Sequence, residues 1–319
     1  MNRILTRKGQ DSASGRESSQ RPVISFITVS YNSGNSIEET IKSICSCKPL
    51  FSCEYIVVDG NSNDGTEQIL SEYSQAIDVL VREADRGIYD AMNKGLRLAR
   101  GEYVCFVNSD DRIIPKGANK IVKMLRGSHR RIDLLASAAL AVEGEKETLW
   151  LPSALDSFLV FRCPNLCHNG VYARRSLIQK IGEFDSSLQI AADSDWIIRA
   201  VRGGARVKVV STPTVLYSIG GISSDISRHA EEMLLIAEKT YPLLSSEVLR
   251  SLLYYLFSWQ DRRTLFTEQP SLRLASALQE ANALYPELSY RNFWLQRFHR
   301  RFAARVFGKL KNSIQRGEQ

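Results

Sequence analysis

Short runs of strand-favouring apolar residues, each cut off by a cluster of turn formers and followed by apolar positions at helical spacing, recur through the first half of the chain. Val23 to Val29 predicts a first strand, which stops at the polar turn Ser30-Tyr31-Asn32-Ser33-Gly34. Ser36 is placed to cap a helix in which Ile37, Ile41 and Ile44 share a face. Glu54 to Val58 predicts a second strand running into Asp59 to Thr66, nearly all turn residues, with Asp64 or Thr66 placed to cap a helix carrying Ile69, Leu70 and Tyr73. Ile77 to Val81 is a third strand, leading through Arg82 to Gly87 into a helix over Ile88 to Ala99. Val104 to Val107 is a fourth, and Pro115 opens the next helix. This alternation predicts an α/β fold with a mostly parallel sheet flanked by helices.

Beyond the helix at Pro115, Ile132 to Val142 is apolar enough for another strand. The middle section, Trp150 to Thr214, is less regular. Asp193 or Asp195 opens a helix bearing Trp196, Ile197 and Ala200, and Val207 to Val210 is a last strand before Gly220-Gly221. From about Arg228 the pattern is helical. The expected organisation is a disordered tail over 1–21, an α/β domain over 22–227 with halves 22–127 and 128–227, and a helical region over 228–319.

At 319 residues the chain has room for one large core, or a domain plus a smaller appendage. No stretch approaches the roughly 20 consecutive apolar residues of a membrane-spanning helix. Met1 to Arg21 lacks the apolar centre of a secretory signal, so the expected location is cytoplasmic, with the six cysteines reduced. Cys45-x-Cys47 and the segment Cys163 to His168 contain metal-ligating residue types, but neither is half of a recognisable paired ligand set.

Charge changes the picture in two places. The Val104 to Val107 strand delivers Asn108, Ser109, Asp110 and Asp111 to its carboxyl end, where open α/β sheets bind ligands. Adjacent carboxylates repel unless something compensates them, and a divalent metal holding a diphosphate would do so. The second place is the C-terminus. Trp294, Leu295, Phe298, Phe302, Val306 and Leu310 recur at three- and four-residue steps among basic side chains from Arg291 to Arg316. Eight Lys or Arg and one acidic residue between Ser289 and Gln319 give +7, equal to the net charge of the whole chain. A basic amphipathic helix with aromatic anchors suits an anionic membrane surface; docking on its own domain is the alternative. No recognition motif accompanies the charge, so nucleic acid is not an expected partner.

Taken in order, five segments resemble the family-2 glycosyltransferases of GT-A fold: Thr28 to Asn32, Ile56 to Thr66, Asp85 to Gly95, Gly101 to Asp111 and Ala192 to Trp196. Within that family the chain looks most like the bacterial enzymes of exopolysaccharide, capsule and O-antigen synthesis. The resemblance implies a Rossmann-like GT-A domain that moves a sugar, with inversion, from a nucleotide-sugar to an acceptor. The implied donor is a UDP- or GDP-sugar and the implied metal is Mg²⁺ or Mn²⁺. A lipid-linked saccharide acceptor would place the protein peripherally on the inner face of the plasma membrane.

Carried over by position, the resemblance implies that Tyr31 and Asp59 contact the nucleotide base. It places Asp85 and Arg86 near the nucleotide, with Arg86 on the diphosphate. Asp110 and Asp111 would position the ribose and hold the metal. Asn108 stands where many members have an Asp, which leaves open which carboxylate binds metal. Asp193 matches the family's base; Ala192 replaces a Glu, and Asp195 is the alternative base or a helix cap. Each has an ordinary alternative: Asp59, Asp64 and Asp110 as helix caps, His168 as a loop histidine rather than an acceptor or metal contact, and Trp196 as core. A nucleotide-sugar-binding module without turnover is the other function class. A dinucleotide-binding oxidoreductase is disfavoured, since Ser30 to Gly34 lacks the Gly-x-Gly-x-x-Gly cradle.

Overall fold

A computed structural model describes residues 4–7, 21–127, 131–144, 146–152, 155, 158–162, 166–219, 225–256 and 270–289. Cys163, Gly220-Gly221 and the basic segment 291–316 lie outside the described residues. The chain divides into two compact units, residues 1–152 with 166–224, and residues 153–165 with 225–319.

In the first unit β1 (Ile4–Arg7), β2 (Ile24–Ser30), β3 (Cys53–Asp59), β4 (Val79–Arg82) and β5 (Tyr103–Phe106) alternate with α1 (Ile37–Cys45), α2 (Thr66–Glu72) and α3 (Ile88–Leu98). β4, β3, β2 and β5 lie side by side and parallel, so Ser30, Asp59 and Arg82 come level at one edge of the sheet. Every residue of β2 is buried, as befits a strand covered on both faces. Ile37, Ile41 and Ile44 of α1 join Phe26, Tyr55, Val57 and Cys105 in the core on one face. On the other face α3 approaches β2 so closely that a Cβ on Gly95 would stand 2.4 Å from Ile27 Cγ2.

β6 (Arg112–Ile113), α4 (Pro115–Gly127), β7 (Leu134–Glu143), β8 (Lys146–Trp150), β9 (Val171–Arg174), α6 (Arg175–Ile181), α7 (Ala192–Arg202) and β10 (Val207–Ser218) complete the unit. The sheet runs β1-β4-β3-β2-β5-β9-β7-β10-β6, with β8 beside β7. β9 is antiparallel to both β5 and β7, while β10 is parallel to β7. The parallel half is as expected, and the far half is mixed.

Three details differ from the sequence-based expectations. Ile4–Arg7, inside the segment read as a disordered tail, pairs antiparallel with β4, where the sheet edge offers free backbone groups. Ser36 makes no side-chain capping bond, and Asp64 precedes the Gly65 cap position of α2. Asp64 instead accepts from Thr66 N–H and from Gly34 N–H at 2.9 Å, tying the first loop to the second.

The second unit contains α5 (Leu159–Arg162), α8 (Ile226–Thr240), α9 (Ser246–Leu256) and α10 (Leu274–Leu284). Phe161 stacks on Tyr241 with ring centroids 5.5 Å apart, and Tyr241 meets Tyr285 edge-on at 4.8 Å. The apolar run Phe158 to Phe161 therefore belongs with the C-terminal helices, an excursion that a division in chain order does not describe. Among the described residues no helix is long and apolar enough to cross a membrane.

Candidate active site

The parallel strands carry their following loops to one edge, and those loops are stitched together. Asn32 N–H donates to Ser62 Oγ at 2.9 Å, Asn63 N–H to Asn32 Oδ1 at 3.1 Å, and Ser33 N–H to Thr66 Oγ1 at 2.9 Å. Asn32 and Asn61 both take positive φ, 50° and 67°, a conformation Asn tolerates better than most residues. A 2.7 Å contact between the Ser33 and Ser109 hydroxyls joins this pair of loops to the one after β5.

Tyr31 is 66% exposed at the rim, free to present its ring. Asp59 is fully buried. Its Oδ1 accepts from Ser62 Oγ, and its Oδ2 from Ser62 N–H at 3.1 Å and Arg82 Nε at 3.2 Å. Both oxygens are thus committed to shaping the loop. The carboxylate beside the Tyr31 ring is Asp85: a Cβ added to Gly60 would lie 2.6 Å from Asp85 Oδ2 and 3.2 Å from Tyr31 Cδ2. Burial, the largest influence, pushes the Asp85 carboxyl above its ordinary range, against a hydrogen bond from Gly87 N–H. Arg86 is 84% exposed and reaches no closer than 3.7 Å to Asp90, so its guanidinium is available.

At the end of β5 the adjacent carboxylates diverge. Asp110 is exposed. Asp111 is buried, its Oδ1 accepting from Ser218 N–H at 2.8 Å and its Oδ2 from Asn169 Nδ2. Burial, followed by the charge of Asp110, pushes the Asp111 carboxyl up to about 8. Asn169 Oδ1 also accepts from Asn108 N–H at 3.3 Å, and Asn108 Oδ1 is a buried oxygen with no partner among the described residues. The backbone carbonyls are held as well: Thr40 Oγ1 donates to Asp111 O at 2.6 Å and Ser218 Oγ to Asp110 O at 2.7 Å.

α7 carries the remaining carboxylates. Asp193 is in its first turn, with Oδ1 accepting from Ser194 N–H at 2.7 Å and within 3.5 Å of the Tyr89 hydroxyl. His168 Nδ1 lies 3.7 Å from Asp193 Oδ2. Asp195 faces elsewhere: it is buried and accepts from Arg199 Nε at 2.8 Å, and Arg199 donates in turn to Ile181 O and Glu183 O. It staples the turn before α7. Behind Asp193 and His168 is an apolar cavity of about 20 Å³, room for one water-sized group, bounded by Val104, Phe106, Phe184 and Trp196.

The residues expected from the sequence thus fall into three groups: Tyr31 and Asp85, followed in the chain by the exposed Arg86, at the expected base end, Asp110 beside Asn108 at the expected phosphate end, and Asp193 on α7 as the expected proton acceptor. Asp59 and Asp111 are sealed supports and Asp195 is an ion-pair partner. Three residues escaped the sequence-level list of site residues. Arg82, the partner of Asp59, was passed over as the start of a loop, and Asn169 has no local signal. Tyr89 lies within the Asp85 to Gly95 segment and has no signal of its own. Its hydroxyl donates to Ile190 O at 2.6 Å, which sets the start of α7.

Comparison with known proteins bears on this arrangement. A sequence profile described as Glycosyl transferase family 2 matches residues 25–138. The chain is 32% identical over 181 residues to an uncharacterised glycosyltransferase of Mycobacterium tuberculosis, covering 56% of this chain and 69% of the relative. The fold is similar to that of TarS 1–349 of S. aureus in complex with UDP-GlcNAc, with a TM-score of 0.56, 22% identity, and 83% and 80% of the two chains covered. It is also similar to the mannosyltransferase PcManGT of Pyrobaculum calidifontis in complex with GDP-Man and Mn²⁺, with a TM-score of 0.54, 17% identity, and coverage of 93% and 81%. On the sequence relative and the matched profile, the chain belongs to glycosyltransferase family 2.

Proposed function

We propose that this glycosyltransferase moves a sugar from a UDP- or GDP-sugar to a lipid-linked saccharide, in one inverting displacement, during synthesis of a bacterial surface polysaccharide. The observation that carries the mechanism is the unequal state of Asp193 and Asp195. Asp195 is consumed by Arg199, whereas Asp193 Oδ2, beside His168, accepts no hydrogen bond from the described residues. Asp193 is then the base that takes the acceptor hydroxyl's proton as the oxygen attacks the sugar's anomeric carbon on the face opposite the diphosphate.

Tyr31 and Asp85 suit the nucleotide base, one offering a stacking surface and the other an acceptor for an imide N–H. Asp59 holds the loop that brings them together, and Arg86 supplies positive charge for the diphosphate. The phosphate end fits a divalent metal. Asp110 offers an exposed carboxylate and Asn108 an unpartnered amide oxygen, hard donors of the kind Mg²⁺ and Mn²⁺ take. Among the described residues no cluster of three or more ligating side chains surrounds a point. When bound there, the ion would supply Lewis-acid stabilisation of the departing diphosphate.

The acceptor's place at the cytoplasmic face of the membrane is read from the basic aromatic segment 291–316, whose charge suits an anionic surface. The test is a panel of UDP- and GDP-sugars with Mg²⁺ or Mn²⁺, scored by nucleoside diphosphate release and by the anomeric configuration of the product. Metal-dependent release with inversion is expected. Tight UDP or GDP binding with no turnover of any donor would favour a binding module instead.

A further inference from the structure

We propose that His168 is a positioning residue for Asp193, its imidazole Nδ1–H orienting the carboxylate that accepts the proton. The inference rests on the reading of Asp193 as the base, and it concerns a residue that no comparison assigns.

Burial depresses the affinity of His168 for a second proton, with the charges of Asp193 and Asp110 opposing that effect, so the neutral imidazole is favoured and one nitrogen carries the hydrogen. Nδ1 faces Asp193 Oδ2 at 3.7 Å, whereas Nε2 is buried with no partner among the described residues. An Nε2–H form would aim a bare lone pair at an anion and leave its hydrogen unpartnered. The Nδ1–H form aims a donor at a carboxylate that can only accept. The separation is longer than a hydrogen bond, and catalytic pairs of this kind commonly shorten in the substrate complex.

The turn that carries His168 is fixed from both sides. Gly170 N–H donates to Cys167 O at 2.9 Å, closing the turn ahead of β9. Asn169, the next residue, is held by Asp111 and by Asn108 N–H. One short segment therefore touches the phosphate end through Asn169 and the base through His168. Asp193 Oδ1 is already held by Ser194 N–H, so a donor on Oδ2 fixes the remaining rotation of the carboxylate. The second lone pair of Oδ2 is left for the acceptor hydroxyl.

The experiment uses the full chain and compares His168→Asn, which keeps an N–H near the Nδ1 position, with His168→Gln, which places one near Nε2, and with His168→Ala. UDP and GDP affinity is measured beside kcat for the best donor of the panel. His168→Ala should lower kcat about 10- to 100-fold, a fraction of the roughly 10²–10⁴ that a positioned base contributes, with UDP and GDP binding unchanged within about twofold. His168→Asn should recover most of the loss and His168→Gln little of it. In an Asp193→Asn background His168→Ala should cost nothing further. ¹⁵N imidazole spectra of the wild-type protein should report the Nδ1–H tautomer, a readout independent of turnover and of whether a variant folds. The proposal is overturned by an Nε2–H tautomer, by rescue through Gln rather than Asn, or by wild-type kcat in His168→Ala while Asp193→Asn is inactive. Full activity in Asp193→Asn would instead sink the base assignment itself.

Discussion

Asp111 makes the stability of the first unit depend on pH in a way that one substitution should remove. In the folded protein its carboxyl is pushed from an ordinary 3.8 to about 8, by burial first and by Asp110 second. The unfolded chain therefore gives up this proton several pH units before the folded one. The folded-state value is raised, so this group's contribution to stability is fully present below about pH 4 and is lost as pH climbs toward 8, at up to about 1.4 kcal/mol per unit. The ceiling is about 6 kcal/mol; local relaxation and water entry on ionisation reduce it, and about half is the expected contribution. For a unit of this size each kcal/mol corresponds to about 2–4 °C in Tm, so the expected span is about 6–12 °C. Asp111→Asn removes the titration. It also sets an amide N–H₂ against Asn169 Nδ2, a cost that does not vary with pH, so the slope and not the offset is diagnostic. Calorimetric scans from pH 5 to 9 in chelator should give a wild-type Tm that falls relative to the variant. Parallel curves across that range would refute the reasoning.

Gly60→Ala should weaken UDP or GDP binding about tenfold, equivalent to about 1.4 kcal/mol, because the new methyl would stand 2.6 Å from Asp85 Oδ2 and crowd Tyr31. Titration calorimetry measures this, and unchanged affinity would remove Asp85 and Tyr31 from the base end. Asn169→Ala should cost about 2–4 kcal/mol, since it strips partners from both the buried Asp111 carboxyl and Asn108 N–H. A loss below about 1 kcal/mol in urea unfolding would mean that the surroundings re-satisfy them. Deleting residues 292–319 should release the protein from vesicles of anionic lipid, and undiminished co-sedimentation would assign membrane contact elsewhere or nowhere.

The parallel half of the sheet was legible because its strands are buried on both faces. Ile24–Ser30 and Cys53–Asp59 read as apolar blocks bounded by turn formers, a pattern that survives without tertiary knowledge. β9 was not legible in the same way. It is four residues long, and its antiparallel pairing with β5 and β7 is a long-range choice with no local period. The excursion of Phe158 to Phe161 into the helical unit is apolar in sequence, but nothing nearby says which core it joins. At the site, the strand-end carboxylates announced the ligand edge, yet their division of labour did not. Asp110 and Asp111 are neighbours in sequence, and what separates them is contact with Asn169 and Ser218, 58 and 107 residues away. Asp195 did carry a usable signal, since Arg199 stands four residues on in a helix. So did Asp59, with Ser62 three residues on, whereas Arg82 at a distance of 23 did not.

Asp193 decides the account most directly. With the donor that turns over best in the panel, transfer and UDP or GDP affinity should be measured side by side for Asp193→Asn and Asp195→Asn. Asp193→Asn is expected to bind the nucleotide as the wild type does and to lose about 10²-fold or more in kcat. Asp195→Asn is expected to lower Tm while the folded fraction keeps substantial turnover. The reverse pattern, near-normal transfer by Asp193→Asn and none by a stably folded Asp195→Asn, would contradict the assignment of the base.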